Sequence, residues 1–109
     1  MNMLNSIIIE GTVSTKPEPT KDVYAFGIAC DRYYKNANGE NQKETSCFDV
    51  VTYGAMAEIA NKECQVGRGV RIVGRLKQTV ETGSDGKHLS KVVVVAEHIE
   101  FKPMAKTAV

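Results

Sequence analysis

A chain of 109 residues, 42% apolar and 25% charged, has the length of one domain with an ordinary core. No apolar run approaches the roughly eighteen residues of a membrane span, and residues 1–5 lack the basic start and long apolar block of a secretory signal. The three cysteines (Cys30, Cys47, Cys64) form no CxxC pair, and His88 and His98 are the only histidines. That count argues against disulfides and zinc, and for reduced thiols in the cytoplasm.

In chain order, residues 6–13 form a β-branched segment interrupted at Gly11, where a bulge or bend is expected. Pro17 and Pro19 mark the turn that follows. Residues 22–34 predict a second strand, with Tyr24, Phe26 and Ile28 on one face and Ala25, Gly27 and Ala29 on the other. The large side chains point to a core; the small ones leave a face that something can approach closely. Residues 36–41 are a turn cluster containing Asn38-Gly39, a strong hairpin signal.

The third strand, from about Glu44 to Tyr53, sets Phe48, Val50 and Thr52 against Cys47, Asp49, Val51 and Tyr53. Residues 55–65 place Met56, Ile59, Ala60 and Cys64 near helical spacing, and Gly67 stands where a helix end favours a left-handed residue. Residues 69–82 predict a fourth strand with Val70, Ile72 and Leu76 inward and Arg71 and Arg75 outward. Gly83-Ser84-Asp85-Gly86 turns the chain, and residues 91–101 form a fifth strand whose run Val92-Val93-Val94-Val95-Ala96 suggests burial on both faces. Beyond Pro103, residues 104–109 carry no pattern and are expected to be a short disordered tail.

Five strands with one helix between the third and fourth is the order of an all-β OB-fold, a small Greek-key barrel whose face binds oligonucleotides, here spanning residues 1–103. An SH3-like barrel competes, but seldom has a full helix at that point. The net charge of +1 does not announce a nucleic-acid binder, but its distribution is uneven. Residues 1–31 hold two bases and four acids, whereas Lys62, Arg68, Arg71, Arg75, Lys77, Lys87 and Lys91 outnumber Glu63, Glu81 and Asp85 over residues 62–91. A solvated hairpin would also carry such charge. No P-loop, GxSxG or HExxH is present, so neither a catalytic role nor a cofactor is expected.

The segments around Asn5-Ser6-Ile7-Ile8-Ile9-Glu10-Gly11, Pro17-Glu18, residues 29–34, Phe48 to Gly54, Ala57-Glu58, Val66-Gly67-Arg68-Gly69-Val70 and Val73-Gly74-Arg75-Leu76 together resemble bacterial single-stranded DNA-binding proteins. The resemblance runs from about Asn5 to Lys102. It implies a homotetramer of such barrels whose aromatic rings stack on unpaired bases, Tyr34 and Tyr53 falling on stacking sites and Tyr33 being a neighbouring candidate. Rings that stack on bases tolerate any sequence, and cations beside them track phosphates. Arg32, Lys35, Lys43, Arg75, Lys77, Lys87 and Lys91 are the candidate phosphate contacts. Phe26, Phe48 and Phe101 are assigned to the core.

Departures from the family pattern are Cys47 in place of a ring, Val80 and Glu81 where the last hairpin often has an aromatic, and Ala55 in place of a lysine. Residues 102–109 contain no acidic tip, so recruitment of replication and repair enzymes through a tail is not expected. The exposed Ile7-Ile8-Ile9 edge is expected to pair with a second copy. The implied role is sequence-independent coating of exposed strands in DNA replication, recombination and repair, in the cytoplasm at the nucleoid. A dimeric primosomal accessory protein that bridges DNA and replication-restart proteins is the alternative, and Cys47 and the short C-terminus favour it.

Overall fold

Alternating large and small side chains commit the second segment to a strand, and the rest of the chain closes a barrel around it. The computed structural model describes residues 1–16 and 22–103. The turn expected at Pro17 and Pro19 and the tail expected at 104–109 lie outside these residues. The elements are β1 (Ile7–Thr15), β2 (Val23–Lys35), β3 (Asn41–Tyr53), α1 (Gly54–Glu63), β4 (Gly69–Thr82) and β5 (His88–Phe101). They close in the order β1-β2-β3-β5-β4. All neighbours are antiparallel except β3 and β5, which meet in parallel at Val50↔Val94 and Val51↔Val95. This is the five-stranded barrel with one helix expected from the pattern.

The core forms where the inward residues of all five strands converge: Val13, Tyr24, Phe26, Ile28, Val50, Val70, Ile72, Val94 and Ala96. Thr52 is buried among them and donates its hydroxyl to the Tyr24 carbonyl at 2.7 Å, so its polar group is satisfied. On β5, Val93 and Val95 are buried as well as Val94 and Ala96, as the run of valines implied, while Val92 is exposed.

Beneath the barrel, Ala57 and Ala60 of α1 and Cys64 just past its end are buried. At about 100° per residue these three lie within about 60° of arc. Ile59 falls on the opposite side of the helix and is exposed, which corrects the expectation that it shares the buried stripe. The helix stops at Glu63 and the backbone N–H of Cys64 bonds to Ala60 O, so Gly67 is not its terminator. Gly67 (φ 95°) occupies the third position of a turn closed by Arg68 N–H to Gln65 O, where a positive φ is required.

Two hairpins outrun the barrel. The β2–β3 ladder continues to Lys35↔Asn41 and the β4–β5 ladder to Thr82↔His88, so β3 and β5 each begin three residues earlier than their sequence pattern suggests. As β2 leaves the barrel, burial ends: Ile28 is buried and residues 31–35 are exposed. Phe48, paired with Ile28, has the inward parity of Val50 and Thr52, yet stands at the lip and is 40% exposed. The core assignment of Phe48 is therefore corrected, because parity decides a side chain's face and not whether anything covers it. Leu76 departs from expectation for the same reason, half-exposed where β4 leaves the barrel. Phe26 is buried, and Phe101 is partly buried against the core beneath the Arg68 guanidinium.

β1 serves two neighbours. Ile7 to Thr12 pair with β4, and Thr12 to Thr15 pair with β2 across an irregularity between Val13 and Thr15, not at Gly11. A side chain at Gly27 would fall 2.6 Å from Thr15 Oγ1, and Gly27 N–H donates to that hydroxyl. At Gly27, what closely approaches the small face of β2 is the end of β1 itself.

Candidate nucleic-acid interface

Side-chain parity distributes the candidate residues over two sides of the sheet. The cross-strand pairs Ala25↔Val51, Gly27↔Asp49, Ala29↔Cys47, Tyr33↔Lys43 and Lys35↔Asn41 share the outer side with Tyr53. On β4, Arg75 and Lys77 have the parity opposite to buried Ile72 and Gly74, and so face outward too. The structure brings Lys77 to Tyr53, with Nζ 5.9 Å from the ring centroid. Tyr53 is 45% exposed and can offer its ring to a ligand.

Tyr34 and Arg32 have the other parity, Tyr34 opposite Gln42 and Arg32 opposite Glu44. The Arg32 guanidinium lies 5.2 Å from the Tyr34 ring centroid. Tyr34 is 38% exposed and Tyr33 74%. Both border a recess of about 350 Å³ at the end of the β2–β3 arm, completed by Lys35, Asn41 and Gln42. Tyr33, not Tyr34, thus shares Tyr53's side of the β2–β3 ribbon. Lys87 sits in the turn of the other arm, where Asp85 Oδ1 accepts its backbone N–H at 3.1 Å.

Ion pairing separates the cations into two groups. Arg68 pairs with Glu63 at 2.6 Å, Arg71 with Glu10 at 2.8 Å and Glu100 at 3.5 Å, and Lys102 with Glu10 at 2.7 Å. Hydrogen bonds from Lys102 and then Arg71 hold the Glu10 carboxyl below its ordinary pKa, and Glu10 raises that of Arg71 in turn. Among the described residues, no carboxylate lies within ion-pairing distance of Arg32, Lys35, Lys43, Arg75, Lys77 or Lys87. Lys91 differs from these: its Nζ lies 2.7 Å from Asp49 Oδ2. Sequence showed Asp49 on Tyr53's face but not this partner, because it depends on the parallel β3–β5 seam.

The thiols divide by burial. Cys64 is buried and its pKa is pushed up to about 11, chiefly by desolvation. Cys30 is half-buried and also raised, while Cys47 is exposed on the outer side of β3. Among the described residues no His/Cys/Asp/Glu group could hold a metal ion, and no helix is long and apolar enough to cross a membrane.

A closed five-stranded barrel with its helix between β3 and β4, carrying exposed rings beside unpaired cations, defines an OB-fold of the oligonucleotide-binding kind. Residues 4–102 match the model of the single-strand binding protein family, and the chain belongs to that family, whose members are DNA-binding proteins and not enzymes. It is 39% identical over 104 residues to a single-stranded DNA-binding protein of Aquifex aeolicus, covering 91% of this chain and 70% of that one. The corresponding protein of Wolinella succinogenes is 33% identical over 104 residues, covering 91% and 64%. The chain therefore spans about two thirds of the length of such relatives. Among solved structures, a Plasmodium falciparum SSB complex with ssDNA superposes with a TM-score of 0.82 at 19% identity, covering 94% of this chain and 98% of that one. A small single-stranded DNA-binding protein from Streptomyces coelicolor gives 0.72 at 24%, covering 94% and 96%. At these identities the superpositions speak to the fold.

Proposed function

We propose that this protein binds single-stranded DNA irrespective of sequence and coats exposed strands in replication, recombination and repair, in the cytoplasm at the nucleoid. Tyr34 and Tyr53 stack on bases with Tyr33 as a neighbouring ring, and Arg32, Lys35, Lys43, Arg75, Lys77 and Lys87 engage phosphates. The observation that carries this reading is the segregation of charge. Cations beside Glu10, Glu63 and Glu100 are neutralised within the fold, whereas those beside the exposed tyrosines are left for an external anion. Stacking contributes about 1–3 kcal/mol per base, and each single-strand phosphate neutralised adds about 0.7 to the log–log salt slope. Combined replacement of Tyr34 and Tyr53 by alanine abolishes tight oligo-dT binding with the fold intact. Unchanged affinity in a fluorescence titration would refute the stacking assignment.

The barrels assemble as a homotetramer through β1. Among the described residues, Ile7 to Gly11 pair only with β4, leaving a ladder edge open, and Ile8 is 72% exposed. Pairing that edge with a second copy satisfies its backbone and covers Ile8. A dimeric accessory role in replication restart draws support from Cys47, exposed without a ring. Light scattering with oligo-dT of increasing length separates the two readings, since it reports subunit number and footprint together.

A further inference from the structure

Two side-chain amides, of Asn41 and Gln42, line the recess of about 350 Å³ at the end of the β2–β3 arm together with Tyr33, Tyr34 and Lys35. Gln42 stands opposite Tyr34, and Asn41 opposite Lys35. Among the described residues neither amide has a hydrogen-bond partner, whereas the amide of Asn5 makes two bonds to the Leu76 backbone and that of Gln78 donates to Ser90. Asn41 is exposed, but Gln42 is part-buried. Its unpaired amide is thus partly withdrawn from water, a cost that a partner in the recess would offset.

Charge around the recess is mixed. Lys35 lines it and Lys43 stands opposite Tyr33, but Glu40 precedes Asn41, and Glu44 lies two residues past Gln42 on the same face, opposite Arg32. A phosphate finds no purely cationic seat there. A flat, neutral group with polar edges fits better, between aromatic walls and in a volume at the low end of those that hold a small ligand.

We infer that this recess takes one unpaired base, and that Gln42 hydrogen-bonds its Watson–Crick edge whichever base it is. A primary amide sets an acceptor beside a donor. Adenine and cytosine offer an amino donor beside a ring-nitrogen acceptor; guanine and thymine offer a carbonyl acceptor beside an N–H donor. Half a turn of the amide matches it to either pattern. Gln42 therefore adds a hydrogen-bonded base contact without choosing a sequence. The inference rests on the DNA-binding reading of this protein and gives it a contact besides stacking and phosphate pairing.

The test is fluorescence titration of wild type, Gln42→Glu, Gln42→Ala and Glu44→Gln with oligo-dT and with a d(GT) repeat of equal length, each variant checked by thermal melting. The two oligonucleotides carry the same phosphates, so the ratio of their Kd values isolates the bases. A carboxylate at position 42 only accepts. Guanine offers it two N–H donors side by side, whereas thymine offers one N–H flanked by carbonyls. Gln42→Glu therefore shifts the ratio in favour of d(GT) by about fivefold or more relative to wild type. Gln42→Ala weakens both complexes about 2- to 12-fold and keeps the wild-type ratio. Glu44→Gln, outside the recess, keeps it too; a shifted ratio there would put the base at Glu44 and overturn the inference. An unshifted ratio in Gln42→Glu, or wild-type affinity in Gln42→Ala, overturns it as well. If the Tyr34 and Tyr53 alanine variant binds like wild type, the stacking reading fails and this inference with it. Failure at Gln42 alone leaves that reading standing.

Discussion

A ring placed at Cys47 should tighten binding, and a gain cannot be mistaken for damage to the fold. Cys47 is exposed on the outer side of β3, six residues and so about 20 Å from Tyr53 on the same face. Its cross-strand partner is Ala29, half-buried and small, so a ring projecting over β2 meets no bulky neighbour. Cys47→Tyr adds one stacking platform worth about 1–3 kcal/mol, which is about 5- to 150-fold in Kd for an oligo-dT long enough to reach it. Cys47→Ala, which adds no ring, is the control and leaves Kd near wild type. The assay is fluorescence titration at fixed salt, with thermal melts confirming equal stability. A tyrosine variant that folds normally and binds no tighter refutes the claim that DNA runs along this face of β3.

Other outcomes test the fold and its electrostatics. Gly74→Ala drives a Cβ into the Val95 carbonyl at the β4–β5 irregularity, a backbone group that cannot swing aside, and destabilises by about 1–3 kcal/mol, read as a fall in Tm. Cys64 carries a folded-state pKa of about 11 against an ordinary value of 9.0. Between those values the unfolded chain binds fewer protons, so stability is full below about pH 9 and declines as pH rises toward 11. The buried Tyr24 phenol, also raised, acts in the same direction. Urea melts at pH 8 and 10.5 measure the decline, and Cys64→Ala reduces it. Ile8→Lys sets a like charge against itself across the proposed edge pairing and lowers the sedimentation coefficient without unfolding the barrel.

Much of the architecture was readable because it depends on local pattern. Period-two alternation at Tyr24, Phe26 and Ile28 marked a core face, the Asn38-Gly39 turn marked a hairpin, and β4 runs from Gly69 to Thr82 as its pattern indicated. Errors fell where periodicity is necessary but insufficient. Phe48 and Leu76 have inward parity at the rim of the barrel, Phe48 opposite Ile28 and Leu76 two residues beyond the last β1–β4 pair, and Ile59 has near-helical spacing without the right angular position. The candidate site divides in the same way. Its residue types and strand positions were visible, but their neutralisation was not, since ion pairs form between segments far apart in the chain.

The amino-acid order by itself determined the five strands, the single helix and which tyrosines and cations lie near strand ends, because alternation, turn residues and helical spacing act over a few residues. Only the tertiary structure decided which charges remain unpaired. Pairing of β4 with β1 on one side and β5 on the other gives Glu10 and Glu100 to Arg71, and the parallel β3–β5 seam gives Asp49 to Lys91. Coulombic pairing depends on distance in space, and no local pattern encodes the approach of two groups 42 residues apart, as Asp49 and Lys91 are.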